Sequence, residues 1–254
     1  MEIAITRQVS RSIESCELTF LARVPMDVDR ARQQHAQYEA ALKDLGLAVL
    51  SLPEEPDLPD SVFVEDAALV LDEIAIITRP GAASRRPETK SIAQILAPFR
   101  ELRHIQAPAH VDGGDILRLG RRIYLGVTQR SDTNAMEQMQ EMLTPLGYDV
   151  HAVPVQGCLH LKSAVTEVAP DTVLLNAAWV NPNTFDNVKI LEVDPSEPYA
   201  ANALRVGDSL LYCTAFPRTR ARIERAGMRT VNVDADELAK AEGALTCCSL
   251  IFSL

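Results

Sequence analysis

The stretch Ala244-Leu245-Thr246-Cys247-Cys248-Ser249-Leu250 places two adjacent cysteines among small and apolar residues near the end of the chain. We predict that this stretch is the final strand of the fold. Side chains alternate between the two faces of a strand, so the two thiols are expected to point in opposite directions. Cys247 is then free to face a site, while Cys248 packs away from it.

Three earlier stretches resemble copies of the same structural position. They are Ser61-Val62-Phe63-Val64-Glu65-Asp66, Val111-Asp112-Gly113-Gly114-Asp115 and Leu159-His160-Leu161-Lys162. With a fourth position near Ala203 and a fifth at Cys247, the markers recur 43 to 48 residues apart. This spacing predicts five structural repeats, although the units share almost no residue identities.

Helical and extended segments alternate in the same rhythm. A helix is predicted to begin at Asp27, and others cover residues 88–99, 134–146 and 219–226, while residues 181–187 replace the helix of the fourth unit. The alternation by itself fits an ordinary open α/β sheet equally well. Five repeats closed into a ring would instead bring the first residue of each core strand to a common axis.

Length and composition limit the function classes. The 254 residues suffice for one large domain or two small ones, and we expect a single catalytic domain over residues 1–254. The net charge of −10 argues against a nucleic acid or an anionic membrane as the partner, and it suits a small cationic substrate. A homodimer is an option that the sequence leaves open.

The cysteines and the N-terminus indicate a cytoplasmic protein. The start Met1-Glu2-Ile3-Ala4-Ile5-Thr6-Arg7 lacks the features of a signal peptide, and no run of about 18 apolar residues predicts a membrane span. Five cysteines are an odd number, and two of them are adjacent. This pattern is typical of free thiols in a reducing compartment.

Three residues at the marker positions form a candidate catalytic set. Cys247 is a candidate nucleophile, but a free thiol with a pKa of about 8.5 is mostly protonated at neutral pH. His160 is a candidate general acid and base, and Asp112 could orient it. Each also has an ordinary structural interpretation, namely a core cysteine, a partly buried histidine and a residue of a tight turn.

Carboxylates gather in one short segment, where Asp60, Glu65 and Asp66 could hold a cation, although Asp60 could equally cap a turn. No cysteine or histidine pair has the spacing of a zinc finger, and Gly113-Gly114 lacks the context of a phosphate-binding loop. We therefore expect neither a metal nor an organic cofactor.

Taken together, these motifs resemble the dimethylarginine dimethylaminohydrolases, which belong to a guanidine-modifying superfamily with the arginine deiminases and amidinotransferases. The resemblance covers nearly the whole chain. The further stretches that carry it are Leu18-Thr19, Pro59-Asp60-Ser61, Ile76-Ile77-Thr78-Arg79-Pro80-Gly81, Ser84-Arg85-Arg86 and Tyr199-Ala200-Ala201-Asn202. The resemblance implies an α/β propeller of five ββαβ units around a pseudo-fivefold axis.

The resemblance also implies roles for individual residues. Cys247 matches the nucleophile, His160 the general acid and base, and Asp112 the carboxylate beside that histidine. The implied substrate contacts are Asp66 and Glu65 at the guanidinium with Asp60 nearby, Arg85 and Arg130 at the α-carboxylate, the backbone carbonyl of Leu18 at the α-amino group, and Ala241.

Two departures bear on the substrate. Lys162 stands where arginine deiminases carry an aspartate that binds an unmodified guanidinium, so its presence favours an N-substituted guanidine. The segment Gln129-Arg130-Ser131-Asp132-Thr133-Asn134 is two residues longer than the usual Arg-Thr-Asn of the family, which bears on the position of Arg130.

The sequence therefore predicts a hydrolase that converts Nω-methylated arginine to citrulline and an alkylamine through a covalent S-alkylthiouronium on Cys247. The partner is expected to be a cationic guanidino amino acid. Two alternatives stay open at this point. One is a hydrolase of another guanidino compound, similar to an arginine deiminase, and the other is a cationic amino-acid binding protein without turnover.

Overall fold

Five three-stranded sheets make up the fold in the computed structural model, which describes residues 1–254. Their order along the chain is β3-β4-β5, β6-β7-β8, β9-β10-β11 and β12-β13-β14, and the fifth sheet is β15-β1-β2. The strands are β1 Glu2–Arg7, β2 Ala48–Leu52, β3 Ala68–Val70, β4 Ile74–Ile77, β5 Glu101–His104, β6 Ile116–Leu119, β7 Arg122–Val127, β8 Asp149–Pro154, β9 Val165–Ala169, β10 Thr172–Leu175, β11 Lys189–Glu192, β12 Ala203–Val206, β13 Ser209–Cys213, β14 Arg229–Val233 and β15 Leu250–Ser253.

Every sheet has the same topology, in which the first two strands are antiparallel and the second pair is parallel. The fifth sheet closes the ring because β15 pairs antiparallel with β1, which in turn pairs parallel with β2. The register of that closing pair sets Ile3 opposite Phe252. The predicted five-bladed α/β propeller is confirmed, and the alternative interpretation as an ordinary open α/β sheet is wrong.

The parallel pairs require crossover connections, and helices supply most of them. The helices are α1 Val28–Asp44, α2 Glu88–Leu96, α3 Thr133–Leu143, α4 Leu161–Ala164, α5 Pro217–Arg225 and α6 Asp236–Ala239. In the fourth unit a single turn, Pro182–Thr184, stands in place of a helix, as predicted. None of the helices has the length and apolarity that a membrane span requires.

Capping carboxylates fix where the two longest helices begin. The side chain of Asp27 accepts a hydrogen bond from the Arg30 amide at 3.0 Å, and Asp132 accepts one from the Ala135 amide at 2.9 Å. A carboxylate at this position satisfies an amide that the helix leaves unpaired. Helix α3 is shorter than predicted, because a separate 3₁₀ turn, Thr144–Leu146, follows it.

The hydrophobic core is divided into five clusters, and each joins two neighbouring sheets around the ring. Representative pairs that share a cluster are Ile76 with Ile123, Leu117 with Val173, Leu174 with Leu210, Ala4 with Leu211, and Ile5 with Ile77. Because every sheet contributes to two clusters, no sheet buries its apolar surface without both neighbours.

At the axis, the chain forms short inner turns where we predicted the starts of core strands. The turns are Val64–Ala67, Gly113–Asp115, Leu161–Ala164 and Thr246–Cys248, with a non-helical turn at residues 198–201 in the fourth unit. The prediction of a strand over residues 244–250 is wrong, as are the predicted strand starts at 111 and 159. Strand alternation therefore does not separate Cys247 from Cys248.

Side chains link each inner turn to the next, which explains why these residues do not extend a sheet. Asp66 Oδ1 accepts from the Gly114 amide at 2.8 Å, and Asp115 Oδ1 accepts from the Leu161 amide at 2.8 Å. The amides that a strand would commit to its neighbour are thus bonded across the axis instead.

Asn202 and Thr246 complete this circle. The Asn202 amide donates to the Lys162 carbonyl at 3.0 Å and to Thr246 Oγ1 at 2.9 Å, and its oxygen accepts from the Thr246 amide at 3.2 Å. Thr246 Oγ1 then donates to Glu65 Oε2 on the first turn at 2.9 Å. We call this closed set of hydrogen bonds among Glu65, Asp66, Asp115, Asn202 and Thr246 the axial belt.

Asn202→Ala is expected to lower the free energy of unfolding by about 3 kcal/mol, because buried polar groups on two turns lose their partner. Asn183→Ala is the matched control, since Asn183 is exposed, and a change below about 0.5 kcal/mol is expected there. Urea denaturation of both variants measures the difference. Equal values for the two would show that the belt does not contribute to stability.

Candidate active site

One small cavity brings together most of the predicted site residues. Seven of the ten line it together with Glu17, Phe63, Leu159, Glu242 and Gly243. The seven are Asp60, Asp66, Arg85, Arg130, His160, Ala241 and Cys247. Its volume is about 10 Å³, which is little more than the space for one water molecule. The cavity is therefore too small for an amino acid, and a larger molecule can bind only after the wall moves.

Three predicted residues lie outside the cavity wall. Asp112 is fully buried and bonds to His160, and Glu65 is buried and bonds to Thr246 in the inner turn Thr246–Cys248. Leu18 lies half-buried in the irregular segment of residues 16–24, which we call the flap. Glu65 does not line this cavity, and its contact with the substrate guanidinium stays a prediction.

His160 and Asp112 form a buried pair, with His160 Nε2 3.1 Å from Asp112 Oδ2. The other oxygen of Asp112 accepts from the Gly81 amide at 2.9 Å. Gly114 permits this arrangement, because a Cβ there would lie 2.6 Å from His160 Nδ1. Gly113 is required for the same reason, since its Cβ would lie 1.9 Å from the Glu65 carbonyl oxygen. The pair of glycines thus lets two inner turns approach closely.

The surroundings of His160 favour its charged form. Burial by itself lowers the pKa of the imidazole, but the carboxylates of Asp66, Asp112 and Asp115 outweigh it and raise the pKa to about 9. The ring is therefore an imidazolium at neutral pH. It is a proton donor in the resting site.

Cys247 has the opposite preference. Burial raises the pKa of its thiol far above the ordinary value, and the negative charges of Glu65 and Asp66 raise it further. Cys247 is accordingly a neutral thiol in the resting site. A cation placed against it would favour the thiolate, because opposite charge stabilises the ionised form.

Asp66 lines the cavity together with these two groups. Its burial disfavours the charge, but His160 and Arg85 outweigh that effect and hold its pKa well below the usual range. Its Oδ2 accepts from Arg85 Nη1 at 2.7 Å. Arg85 also binds Glu88 through Nε at 3.1 Å and Nη2 at 2.9 Å. The orientation of Arg85 is therefore fixed from two sides.

The only group of side chains with the spacing of metal ligands is Asp66, Asp112 and His160, whose ligand atoms lie within 4.8 Å of one another. These atoms already serve other partners. Asp66 accepts from Gly114 and Arg85, and His160 bonds to Asp112. The His160 imidazolium and the Arg85 guanidinium supply positive charge to the cluster without a metal ion.

Lys162 has its amine committed to Glu65, with Nζ bonded to Oε1. The other Glu65 oxygen accepts from Thr246 in the axial belt. Burial is the main influence on Glu65 and raises its pKa, against the opposing effect of Lys162. The lysine therefore neutralises a carboxylate behind Cys247 and does not extend into the cavity.

Arg130 reaches the cavity in spite of the longer segment that contains it. Its Nη1 lies 3.4 Å from Asp112 Oδ2, and its Nη2 donates to Thr19 Oγ1 at 3.1 Å. Ser131, the next residue, bonds to the neighbouring inner turn. Ser131 Oγ accepts from the Asp112 amide at 3.1 Å and donates to Asp115 Oδ2 at 2.6 Å. The added length is thus absorbed between the inner turn and helix α3.

The sequence predicted no role in the site or the axial belt for Glu88, Asn202 or Glu242. Glu88 follows Arg85 by three residues, a spacing that permits an ion pair across one helical turn. Asn202 lies one residue before the repeat marker at Ala203. Glu242 neighbours Ala241, but its partners lie in the flap, 221 to 223 residues away, so no local pattern indicates them.

Comparisons with known proteins now place the chain. A family model described as "N,N dimethylarginine dimethylhydrolase, eukaryotic" matches residues 22–193. The dimethylarginine dimethylaminohydrolase of Pseudomonas aeruginosa is 36% identical over 228 residues, which span 89% of this chain and 90% of the relative. The chain belongs to the dimethylarginine dimethylaminohydrolase family.

Further members of the family agree. The dimethylarginine dimethylaminohydrolase of Streptomyces coelicolor is 36% identical over 97% of this chain and 95% of its own length. The structure of the Pseudomonas enzyme, a Cys-to-Ser mutant complexed with citrulline, superposes with a TM-score of 0.93 at 34% identity, covering 98% of both chains. A cyanobacterial arginine dihydrolase domain with a TM-score of 0.88 is only 18% identical and shows the shared fold alone.

Stability should depend on pH through His160. Its folded-state pKa of about 9 lies above the ordinary value of about 6.5, so its charge stabilises the fold fully below pH 6.5. That contribution, about 3 kcal/mol, declines as the pH rises through 9. In urea denaturation, the difference in free energy of unfolding between the wild type and His160→Asn should therefore decrease as the pH rises from 6.5 to 9.5. The exposed His151→Asn is the control, and a gap that stays constant with pH would contradict the assignment.

Proposed function

We propose that this chain hydrolyses Nω-methylated arginine to citrulline and an alkylamine, through a covalent intermediate on Cys247. The observation that carries the proposal is the small cavity that is lined by the Cys247 thiol, by His160 with its partner Asp112 behind it, and by the ionised Asp66. The membership of the chain in the dimethylarginine dimethylaminohydrolase family supports it. We further propose that residues 1–254 act as one catalytic domain, because the fifth sheet joins both ends of the chain.

The substrate is recognised by charge at both ends. Its guanidinium stays protonated because its pKa exceeds about 12, and it meets the ionised Asp66. Arg130 and the unbonded N–H of Arg85 receive the α-carboxylate. Asp60 and the backbone carbonyl of Leu18 receive the α-amino group, with Ala241 at the wall of the cavity.

The bound cation activates the nucleophile. The guanidinium stabilises the thiolate of Cys247, and the thiol proton passes to solvent. The sulfur attacks the guanidinium carbon, and the His160 imidazolium donates its proton to the alkylamino nitrogen as the C–N bond breaks. The products of this half are a neutral amine, a neutral imidazole and an S-alkylthiouronium.

The second half restores the enzyme. The neutral His160 accepts a proton from water as the water oxygen attacks the thiouronium carbon, and collapse of the adduct expels the Cys247 thiolate and leaves the ureido group. Asp112 stabilises the imidazolium that forms again. The hydroxyl proton of the adduct passes to solvent as the ureido carbonyl forms, as the thiol proton did in the first half. The thiolate and the released amine each take up one proton from solvent, so two protons are released, two are taken up, and the proton count closes.

Lys162 supports an N-substituted substrate. Its ion pair with Glu65 leaves Asp66 as the carboxylate that faces the guanidinium, so fewer acceptors are available for the extra N–H groups of unmodified arginine. We also propose a reducing, cytoplasmic setting, because the five cysteines are unpaired and Cys247 must stay reduced to react.

A panel of guanidines tests the proposed substrate. With asymmetric dimethylarginine, monomethylarginine, arginine and agmatine supplied separately, we expect ureido product from the two methylated amino acids only. Agmatine lacks the α-carboxylate that Arg130 binds, and arginine lacks the substituent. Turnover of arginine alone would support a deiminase, whereas tight binding of dimethylarginine without any ureido product would support a binding protein.

The two adjacent cysteines give a matched pair of variants. Cys247→Ser should lower turnover at least about a thousandfold, since the hydroxyl is a far weaker nucleophile. Cys248→Ser should stay within about threefold of the wild type, because the Cys248 thiol bonds to the Ala244 carbonyl and lines no part of the cavity. Acid quench and mass spectrometry should trap an adduct at Cys247. Loss of activity in the Cys248 variant alone would contradict the assignment.

A further inference from the structure

Glu242 makes the most extensive polar contact between the flap and the rest of the molecule. The other contacts are those of Asp60 with the Glu17 amide, Ser84 with the Glu17 carboxylate and Arg130 with Thr19. Glu242 Oε2 accepts from the Thr19 amide at 2.8 Å, while its Oε1 accepts from the amides of Phe20 and Leu21, the latter at 2.6 Å. Three successive amides directed at one anion form a compact anion site in the backbone. Glu242 has no other side-chain partner, so its charge serves the flap alone.

The backbone at Glu242 is specialised for this contact. Its φ is +58°, in the left-handed region that residues with a side chain seldom adopt. Such a conformation costs free energy and persists where its surroundings require it. Glu242 lines the catalytic cavity together with Ala241 and Gly243, and its carboxylate is in contact with the flap.

The cavity must open during each catalytic cycle. Its volume of about 10 Å³ cannot hold an amino acid of the size of dimethylarginine. The flap contributes both the partner of Arg130, through Thr19 Oγ1, and the amides that Glu242 binds. Because the flap has only one short 3₁₀ turn before it, Ile13–Ser15, these side-chain contacts define its closed position.

We propose that Glu242 is a positioning residue that closes the flap over the substrate and fixes the Leu18 carbonyl. The proposal rests on the proposed function. The Leu18 carbonyl and the Thr19 amide belong to one planar peptide group, and they point in opposite directions. When Glu242 binds the amide, the carbonyl is therefore held at a fixed angle. That carbonyl is the group assigned above to the α-amino group of the substrate.

A second cavity marks where the flap rests. It has a volume of about 270 Å³ and is mostly apolar, and it shares Leu159, Glu242 and Gly243 with the catalytic cavity. Phe20 and Leu21 line it. The apolar side chains of the flap thus cover one cavity while its backbone binds Glu242 beside the other. Closure is therefore determined by both apolar contact and charge.

The test compares Glu242→Gln and Glu242→Ala with the control Glu141→Gln, which lies on the exposed face of α3. The substrates are dimethylarginine and its analogue without the α-amino group. Loss of hydrogen bonds to a charged acceptor should raise KM for dimethylarginine about tenfold in both Glu242 variants. KM for the analogue should change less than twofold, because it has no group for the Leu18 carbonyl.

A second measurement does not depend on turnover. Arg23 is exposed at the end of the flap, so trypsin should cleave there several times faster in the Glu242 variants than in Glu141→Gln. An unchanged cleavage rate, or an equal rise in KM for both substrates, would overturn the proposal. If the wild type fails to hydrolyse dimethylarginine, the proposed function fails, and the cleavage rate alone decides whether Glu242 holds the flap.

Discussion

The axial belt is the constraint on which the rest of the structure depends. Five sheets can surround an axis only if the turns that meet there satisfy their own buried amides and carbonyls. In this protein Asp66, Asp115 and Asn202 each bond to the backbone of a following turn, and Thr246 returns the circle to Glu65. The residues that close the ring are therefore polar and buried. A site with strongly shifted pKa values is a consequence of that architecture.

The charges around the belt explain the resting state of the site. In this balance of charge, six buried carboxylates lie among four basic side chains, namely Asp60, Glu65, Asp66, Glu88, Asp112 and Asp115 with Arg85, Arg130, His160 and Lys162. Within this balance the proton resides on His160 and also on Cys247. A guanidinium upsets the balance in one direction, since its positive charge favours the thiolate. In the proposed mechanism, activation of Cys247 is thus coupled to binding of the cation, and the thiol stays unreactive without substrate.

The sequence predicted the ring because its signal is periodic, with reactive residues 43 to 48 positions apart. The glycines at 113 and 114 also carried a local signal, which the close approach to Glu65 and His160 explains. The prediction of a strand over residues 244–250 was wrong. The residue types there favour a strand, but the hydrogen-bond partners of their amides lie on other turns at the axis. Glu88 and Glu242 were missed because their roles depend on which distant residues the fold brings beside them.

Closure of the ring and closure of the active site are consequences of the same strand pairing. Strand β15 pairs with β1, and this pairing brings the end of the chain beside its beginning. Cys247 and Glu242 precede β15, and the flap follows β1. Formation of the fifth sheet therefore brings Cys247, the Glu242 carboxylate and the flap together. A change that loosened the β15–β1 pair would displace all three together. In this family member the thermodynamic stability of the fifth sheet and the geometry of substrate binding are therefore coupled, because both depend on the β15–β1 pairing.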